Sequence, residues 1–249
     1  MSKISIIAPI HTSSIREGYS ERFLVEFFAS LSYQHFKDFD IVVADHSVGD
    51  NLKAICDTFS HVLDIKYYKN AYMRGSTAAN VNFGMKKATG EICKILFMDD
   101  FFVEQTGLQE TWDAFQANPD KKWLIAGFVN CNEDRTEFFN ARLPRFDNAY
   151  VNGDNSTGNP STYAVRREFA IDMDENLRFV VDGEYFVRSY WHYGPPIMIE
   201  KVVHCFRYHE DANYLKPELQ ALEAEERQYS VEKFRKMDEE RANANRVSQ

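Results

Sequence analysis

Four short apolar runs alternate with helix-patterned segments through the first 100 residues, and that alternation restricts the chain to a small set of folds. Ile4-Ser5-Ile6-Ile7-Ala8-Pro9 reads as a first strand, stopped by Pro9. Residues 21–34 carry Phe23, Leu24, Phe27, Phe28 and Leu31 at helical spacing. Residues 40–45 form a second strand that ends on Asp45, and Leu52, Ile55, Cys56 and Phe59 mark a short helix. A third strand covers 65–68. The third helix starts at Ser76 or Thr77, carries Ala78, Val81, Met85 and Ala88 as its apolar stripe, and ends at Gly90. The run Lys94-Ile95-Leu96-Phe97-Met98 is a buried strand that leads straight into Asp99 and Asp100. A β-α-β-α-β-α-β order predicts a parallel sheet with helices on both faces.

Strands of such a sheet finish on one edge, and ligands bind outside their carboxyl ends. Pro9, Asp45 and the Asp99-Asp100 pair all fall there. Two adjacent aspartates repel each other and resist desolvation. Two readings follow: a divalent metal carrying a diphosphate, or a capping aspartate beside a solvated turn. No GxGxxG follows the first strand and no GxxxxGK[ST] occurs anywhere, so phosphate charge must be met by metal or by side chains. Arg74, just before the third helix, is placed to reach a phosphate or a base, and His11 lies near the expected base pocket.

The remainder is less regular. Residues 108–117 read as a helix and 123–129 as a strand. The Asn-, Asp-, Gly- and Pro-rich stretch 130–164 is too long for a simple link and is expected to shape the acceptor side. Residues 165–177 are ambiguous. Residues 183–193 read as a helix, and 196–208 as a strand or hairpin. From Pro217 to about Met237 runs an amphipathic helix, and the last ten residues are expected to fray. Over 216–249 eight acids face seven bases, which lacks the basic face that anionic lipid favours. Docking on the domain or homodimer contact ranks above peripheral membrane contact.

A net charge of −9 and a pI near 5.3 argue against nucleic acid as a partner. Cys56, Cys93, Cys131 and Cys205 form no CxxC pair, so neither a zinc site nor a disulfide framework is signalled. Residues 1–9 lack the pattern of a signal peptide and no run is long enough to span a bilayer, which makes the cytoplasm the expected location.

The ordered set Ile-Ile-Ala-Pro9, Val-Val-Ala-Asp45-His46-Ser47, Arg74-Gly75 with Asn80, Gly90-Glu91 and Phe97-Met98-Asp99-Asp100 resembles the family 2 glycosyltransferases of the GT-A fold. The likeness covers residues 3–105 most strongly. Further on, Asp182 with Arg188 six positions later resembles the family's base-bearing segment, and Phe206-Arg207-Tyr208-His209 its later R-x-H element.

The resemblance implies an α/β GT-A fold over 1–215. Residues 1–105 would form the nucleotide-sugar half and 106–215 the acceptor and base half, with 216–249 as a helical appendage. It implies an inverting transferase that takes sugar from a nucleoside-diphosphate sugar, UDP-linked, to a glycan or lipid-linked acceptor in surface polysaccharide synthesis. Pro9, His11, Asp45, Arg74 and Asp99 would line the nucleotide-sugar site. Asp99, Asp100 and His209 would hold Mn²⁺ or Mg²⁺, and Asp182 would accept the proton of the acceptor hydroxyl. Counted from Gly90-Glu91, the first aspartate of the usual DXD falls at Phe97 and Asp99 takes the second. Counted from Asp99, Phe101 stands where a carboxylate is expected. The motif is therefore a DD variant, which leaves open which aspartate meets the metal.

Other readings stand beside these. Asp182 could be a helix N-cap, Glu184 is a rival base, and Tyr67 and Tyr68 read as core. A nucleotidyltransferase would carry a basic glycine-rich loop where His11-Thr12-Ser13-Ser14 stands. A non-catalytic nucleotide-sugar-binding protein of the same fold is favoured by the atypical Asp99-Asp100-Phe101 and opposed by Asp182 and Arg188.

Overall fold

The structure is a computed structural model that describes residues 2–13, 16–146 and 157–247. Strands are β1 (Ile4–Ile10), β2 (Phe39–Asp45), β3 (Ile65–Lys69), β4 (Ile92–Ile95), β5 (Phe101–Phe102), β6 (Trp123–Asn132), β7 (Phe138–Arg142), β8 (Tyr163–Arg166) and β9 (Ile197–Tyr208). Helices are α1 (Tyr19–Ser32), α2 (Asn51–Phe59), α3 (Thr77–Met85), α4 (Gly107–Ala117), α5 (Val181–Tyr193), α6 (Pro217–Gln220) and α7 (Glu223–Val247).

One mixed sheet runs β3-β2-β1-β4-β8-β6-β9-β5, with β7 against β6. The first four strands are parallel, as the alternation predicts. From β8 outward the sheet turns mixed: β8 is antiparallel to β4 and to β6, and β9 runs parallel to β6. Period-two alternation sorts the core. Ile4, Ile6, Ala8 and Ile10 of β1 pack with Leu24, Phe27, Phe28 and Leu31 of α1 and Leu52 of α2. Ile7 faces the other layer, with Ala78, Val81 and Met85 of α3 and Tyr185 and Phe186 of α5. Each such buried side chain contributes about 1.5–3 kcal/mol relative to exposure.

Several expectations need correction. β1 runs through Pro9 to Ile10. Ile7 O accepts from Leu96 N, so Pro9, two residues on, faces the same side, where β4 has already ended. Its missing N–H therefore removes nothing from the ladder. The strand expected at 94–98 is Ile92–Ile95. Beyond it Phe97 N bonds Ser161 Oγ at 3.0 Å, and the chain turns out of the sheet. Gly90 does not cap α3, which ends at Met85, and its φ is not positive. It is a contact residue, since a Cβ there would lie 2.6 Å from Ser5 N and 2.8 Å from Ile4 C.

The stretch 130–164 holds β7, a 3₁₀ turn at Pro160–Thr162 and the start of β8, while 147–156 lies outside the described residues. α5 begins at Val181, so Asp182 sits inside the first turn and Val180 is the N-cap. The C-terminal helix breaks after Gln220, and its main part, α7, continues to Val247 rather than fraying. Phe234 of α7 is buried in the α3–α5 layer, so the helix docks on the domain. Among the described residues no helix is long and apolar enough to cross a membrane.

Candidate active site

Asp45 ends β2 beside Ile10 and Lys69 in the sheet register. Its carboxylate is buried and already engaged: Ser47 N donates to Oδ1 at 2.7 Å, and Tyr67 Oη and Lys69 Nζ donate to Oδ2 at 2.5 and 3.1 Å. Tyr67 is thus no plain core residue. Burial and this bond together raise its hydroxyl pKa. Asn80 of α3 ties the ends of β1 and β2 together, donating to Ile10 O at 3.3 Å and Ala44 O at 2.8 Å. Arg74 precedes α3, exposed, and makes no hydrogen bond or ion pair among the described residues; its charge bears on His46. The turn there uses Gly75 at φ 85°.

The turn after β4 separates the two aspartates. Asp99 faces the cleft, and its Oδ2 lies 2.9 Å from His209 Nε2. Burial pushes the Asp99 carboxyl up, but the His209 hydrogen bond and charge outweigh it and hold the pKa low. Asp100 is buried, and its Oδ2 accepts from Ser161 Oγ at 2.6 Å and Asn159 Nδ2 at 2.7 Å. Burial and the neighbouring Asp99 charge raise its pKa well above the ordinary value. Beneath the turn, the side-chain nitrogen of fully buried Lys94, whose pKa burial lowers well below the ordinary value, bonds the carbonyls of Ile95, Ser161 and Tyr163.

Arg207, at the end of β9, fixes the Asp99 turn. Its Nε donates to Asp99 O at 3.1 Å, Nη1 to Glu133 O at 2.8 Å and Nη2 to Glu26 at 2.5 Å. His209 follows two residues later, edge-on to Tyr19 and Phe23, with its buried Nδ1 unpartnered. His11 is solvent-exposed yet close enough to feel the charges of Asp99, Asp211, Lys216 and His209, and desolvation lowers its pKa. Lys216 lies 3.1 Å from Asp211 Oδ1 in the same strap of chain, and Asn213 Nδ2 reaches Thr77 Oγ1 at 3.4 Å.

Among the described residues no three carboxylate, imidazole or thiol groups converge to hold a metal unaided. The expected trio is split: Asp99 and His209 meet, while Asp100 is turned inward. Asp99 still fits a hard divalent cation of the Mg²⁺ or Mn²⁺ kind, which takes one or two protein carboxylates when diphosphate oxygens and water complete its shell.

Asp182 makes no hydrogen bond or ion pair among the described residues. Its side chain is partly open, but the protein around it desolvates the carboxylate and raises its pKa to about 7. The rival Glu184 is spoken for: it is buried, bonded to Arg188 at 2.7 and 3.0 Å and to Lys233 at 2.7 Å. Arg188 also donates to Asp172 O. Ahead of α5, three consecutive backbone N–H groups, of Arg178, Phe179 and Val180, donate to Glu226 of α7 at 2.8, 2.8 and 3.0 Å. Glu226, Lys94 and the Ser161–Asn159 pair carry no motif that would single them out; only the R-x-H spacing hints at Arg207.

A sheet whose parallel half ends on Asp45 and Asp99, continued by mixed strands that bring in His209 and a helix carrying Asp182, is the GT-A arrangement. The sequence model described as Glycosyl transferase family 2 matches residues 5–173, and the chain belongs to that family. It is 30% identical over 101 residues to the GalNAc(5)-diNAcBac-PP-undecaprenol β-1,3-glucosyltransferase of Campylobacter jejuni, covering 40% of this chain and 30% of that protein. Among solved structures it is similar to S. aureus TarS (residues 1–349) in complex with UDP-GlcNAc: TM-score 0.68, 18% identity, 85% of this chain and 60% of the other. It is also similar to the mannosyltransferase PcManGT of Pyrobaculum calidifontis in complex with GDP-Man and Mn²⁺: TM-score 0.60, 14% identity, 82% of this chain and 56% of that one. The chain thus spans less than two thirds of the length of each.

Proposed function

We propose that this glycosyltransferase moves a sugar from a nucleoside-diphosphate donor, UDP-linked, to a hydroxyl of a glycan or lipid-linked acceptor, with inversion at the anomeric carbon. The observation that carries this reading is Asp182, a partly open carboxylate with no bond among the described residues, desolvated by the protein around it so that its pKa is raised to about 7. A general base works best with a pKa near the working pH. Asp182 accepts the proton of the acceptor hydroxyl as that oxygen attacks the anomeric carbon. The bond to the diphosphate breaks, and the electron pair leaves with the nucleoside diphosphate.

Asp45, Arg74 and His11 take the nucleotide end of the donor, and Asp99 faces its diphosphate. Asp99, with His209 beside it, would hold a divalent cation, which would supply charge neutralisation for the departing diphosphate. Arg207, through Asp99 O, and Asn80, through the ends of β1 and β2, keep that wall fixed. Surface polysaccharide synthesis is the setting that fits, since the Campylobacter jejuni relative is named for an undecaprenol-linked glycan. The cytoplasmic side is the location this reading expects for the reaction.

Calorimetric titration with UDP and with GDP, each with Mn²⁺ and with chelator, tests the donor side. Metal-dependent binding of UDP, lost in Asp99→Ala and kept in Asp182→Ala, is expected. A folded protein that binds neither nucleotide would sink this reading.

A further inference from the structure

The C-terminal helix α7 grips the base-bearing segment at two points. Glu226, buried on α7, offers Oε1 to Arg178 N and Oε2 to Phe179 N and Val180 N. Three successive N–H groups around one carboxylate make a compact anion cradle. It stands at the mouth of α5, whose N-cap Val180 has no side-chain cap of its own. About two turns along α7, Lys233 donates to Glu184 at 2.7 Å and to Asp174 at 2.6 Å. One helix therefore holds the backbone just ahead of Asp182, at 178–180, and the Glu184 side chain just after it.

Among the described residues Asp182 has no hydrogen bond to orient it. The α5 backbone then sets the position of its Cα and Cβ, and with them the few rotamer positions open to the carboxylate. We propose that Glu226 is a positioning residue for Asp182: by holding the three N–H groups that lead into α5, it sets where the base stands against the acceptor hydroxyl. This rests on the assignment of Asp182 as the base. The enclosure of Asp182, and not a neighbouring charge, raises its pKa. Loss of Glu226 should then lower the height of the pH–rate curve and leave its midpoint in place.

The test compares Glu226→Ala, Glu226→Gln, Asp182→Asn and the double variant Asp182→Asn/Glu226→Ala. UDP release is followed from UDP-glucose and from UDP-N-acetylglucosamine, with water standing in for the acceptor, and melting curves give the folded fraction. Displacing a reacting group by about 1 Å costs up to roughly 100-fold, so Glu226→Ala should lose about 10- to 100-fold in kcat with donor KM unchanged. Glu226→Gln, which keeps one acceptor oxygen, should recover part of this. Residues that act through one another are not additive, so the double variant should be no slower than Asp182→Asn alone.

Wild-type kcat per folded molecule in Glu226→Ala, beside an impaired Asp182→Asn, would overturn this proposal alone. So would losses that multiply in the double variant. Wild-type kcat in Asp182→Asn would overturn the base assignment and the proposal with it. If Glu226→Ala does not fold, Glu226→Gln decides: reduced kcat at unchanged KM supports the proposal, and wild-type kcat overturns it.

Discussion

Asp99 and Asp100 are adjacent in the chain and face opposite ways, Asp99 toward His209 at 2.9 Å and Asp100 inward onto Ser161 at 2.6 Å. A turn at the end of a strand can present only one of two neighbouring side chains to the cleft. Desolvation then sorts them: the carboxylate beside a cationic or metal partner stays ionised, and the one facing the interior is bonded by neutral donors with its pKa raised.

Their substitutions should therefore separate. Asp99→Asn should abolish metal-dependent UDP binding by calorimetry and leave the melting temperature near wild type. Asp100→Ala strands the Ser161 hydroxyl and the Asn159 amide in the interior. It should cost about 1–3 kcal/mol in denaturant unfolding, with metal dependence retained.

The rate should follow the titration of Asp182. The base works deprotonated, so kcat should rise through about pH 7 and level off above it. The same group carries an opposite stability signature. The folded chain keeps the proton up to about 7, while the unfolded chain loses it near 4. Between those values the folded state binds more protons, so this contribution is full at low pH and is lost as pH rises through the folded value. Asp182→Asn should accordingly melt higher than wild type at pH 8, by roughly 2–4 °C for each kcal/mol relieved, while losing transfer. Melting curves and pH–rate profiles on the same two proteins check both halves.

Glu184→Gln should behave in the reverse manner. It removes the carboxylate facing Arg188 and one of the two facing Lys233, and should destabilise by about 1.5–3 kcal/mol, the range for bonds to charged groups. The rise of kcat around pH 7 should persist, because Asp182 is untouched. A flat pH profile in Glu184→Gln would transfer the base role to Glu184.

Gly90→Ala tests a contact rather than a charge. The added methyl would press on Ser5 N and Ile4 C, both backbone atoms of a central strand that cannot move aside. A loss of about 1–3 kcal/mol is expected, with nucleotide affinity unchanged. Stability equal to wild type would mean that β1 and the 88–91 turn are looser than the structure has them.

Much of the parallel half was legible in order. The runs at 4–9 and 40–45 are apolar, β-branched and bounded by turns, and 65–68 is a shorter run beside them, so their strands follow from local pattern; Asp45 falls at the end of its strand, and Asp99 in the turn that follows β4. The C-terminal half was less legible for a physical reason. β6, β8 and β9 pair across long separations, with Trp123 against Val165 and Leu124 against Ile197, and no local period encodes such partners.

What the sequence determined by itself is the strand–helix alternation, the family likeness and the identity of the candidate carboxylates. Only the tertiary structure decided how each of them is bonded among the described residues. Asp100 is withdrawn onto Ser161, Glu184 is paired with Arg188 and Lys233, and Asp182 is left unbonded. Glu226, 44 positions beyond Asp182, reaches the segment just ahead of it because α7 folds back across the N-terminus of α5. Ionisation and hydrogen-bond supply depend on what surrounds a side chain in three dimensions, and a carboxylate's neighbours in sequence are seldom the groups that set its charge.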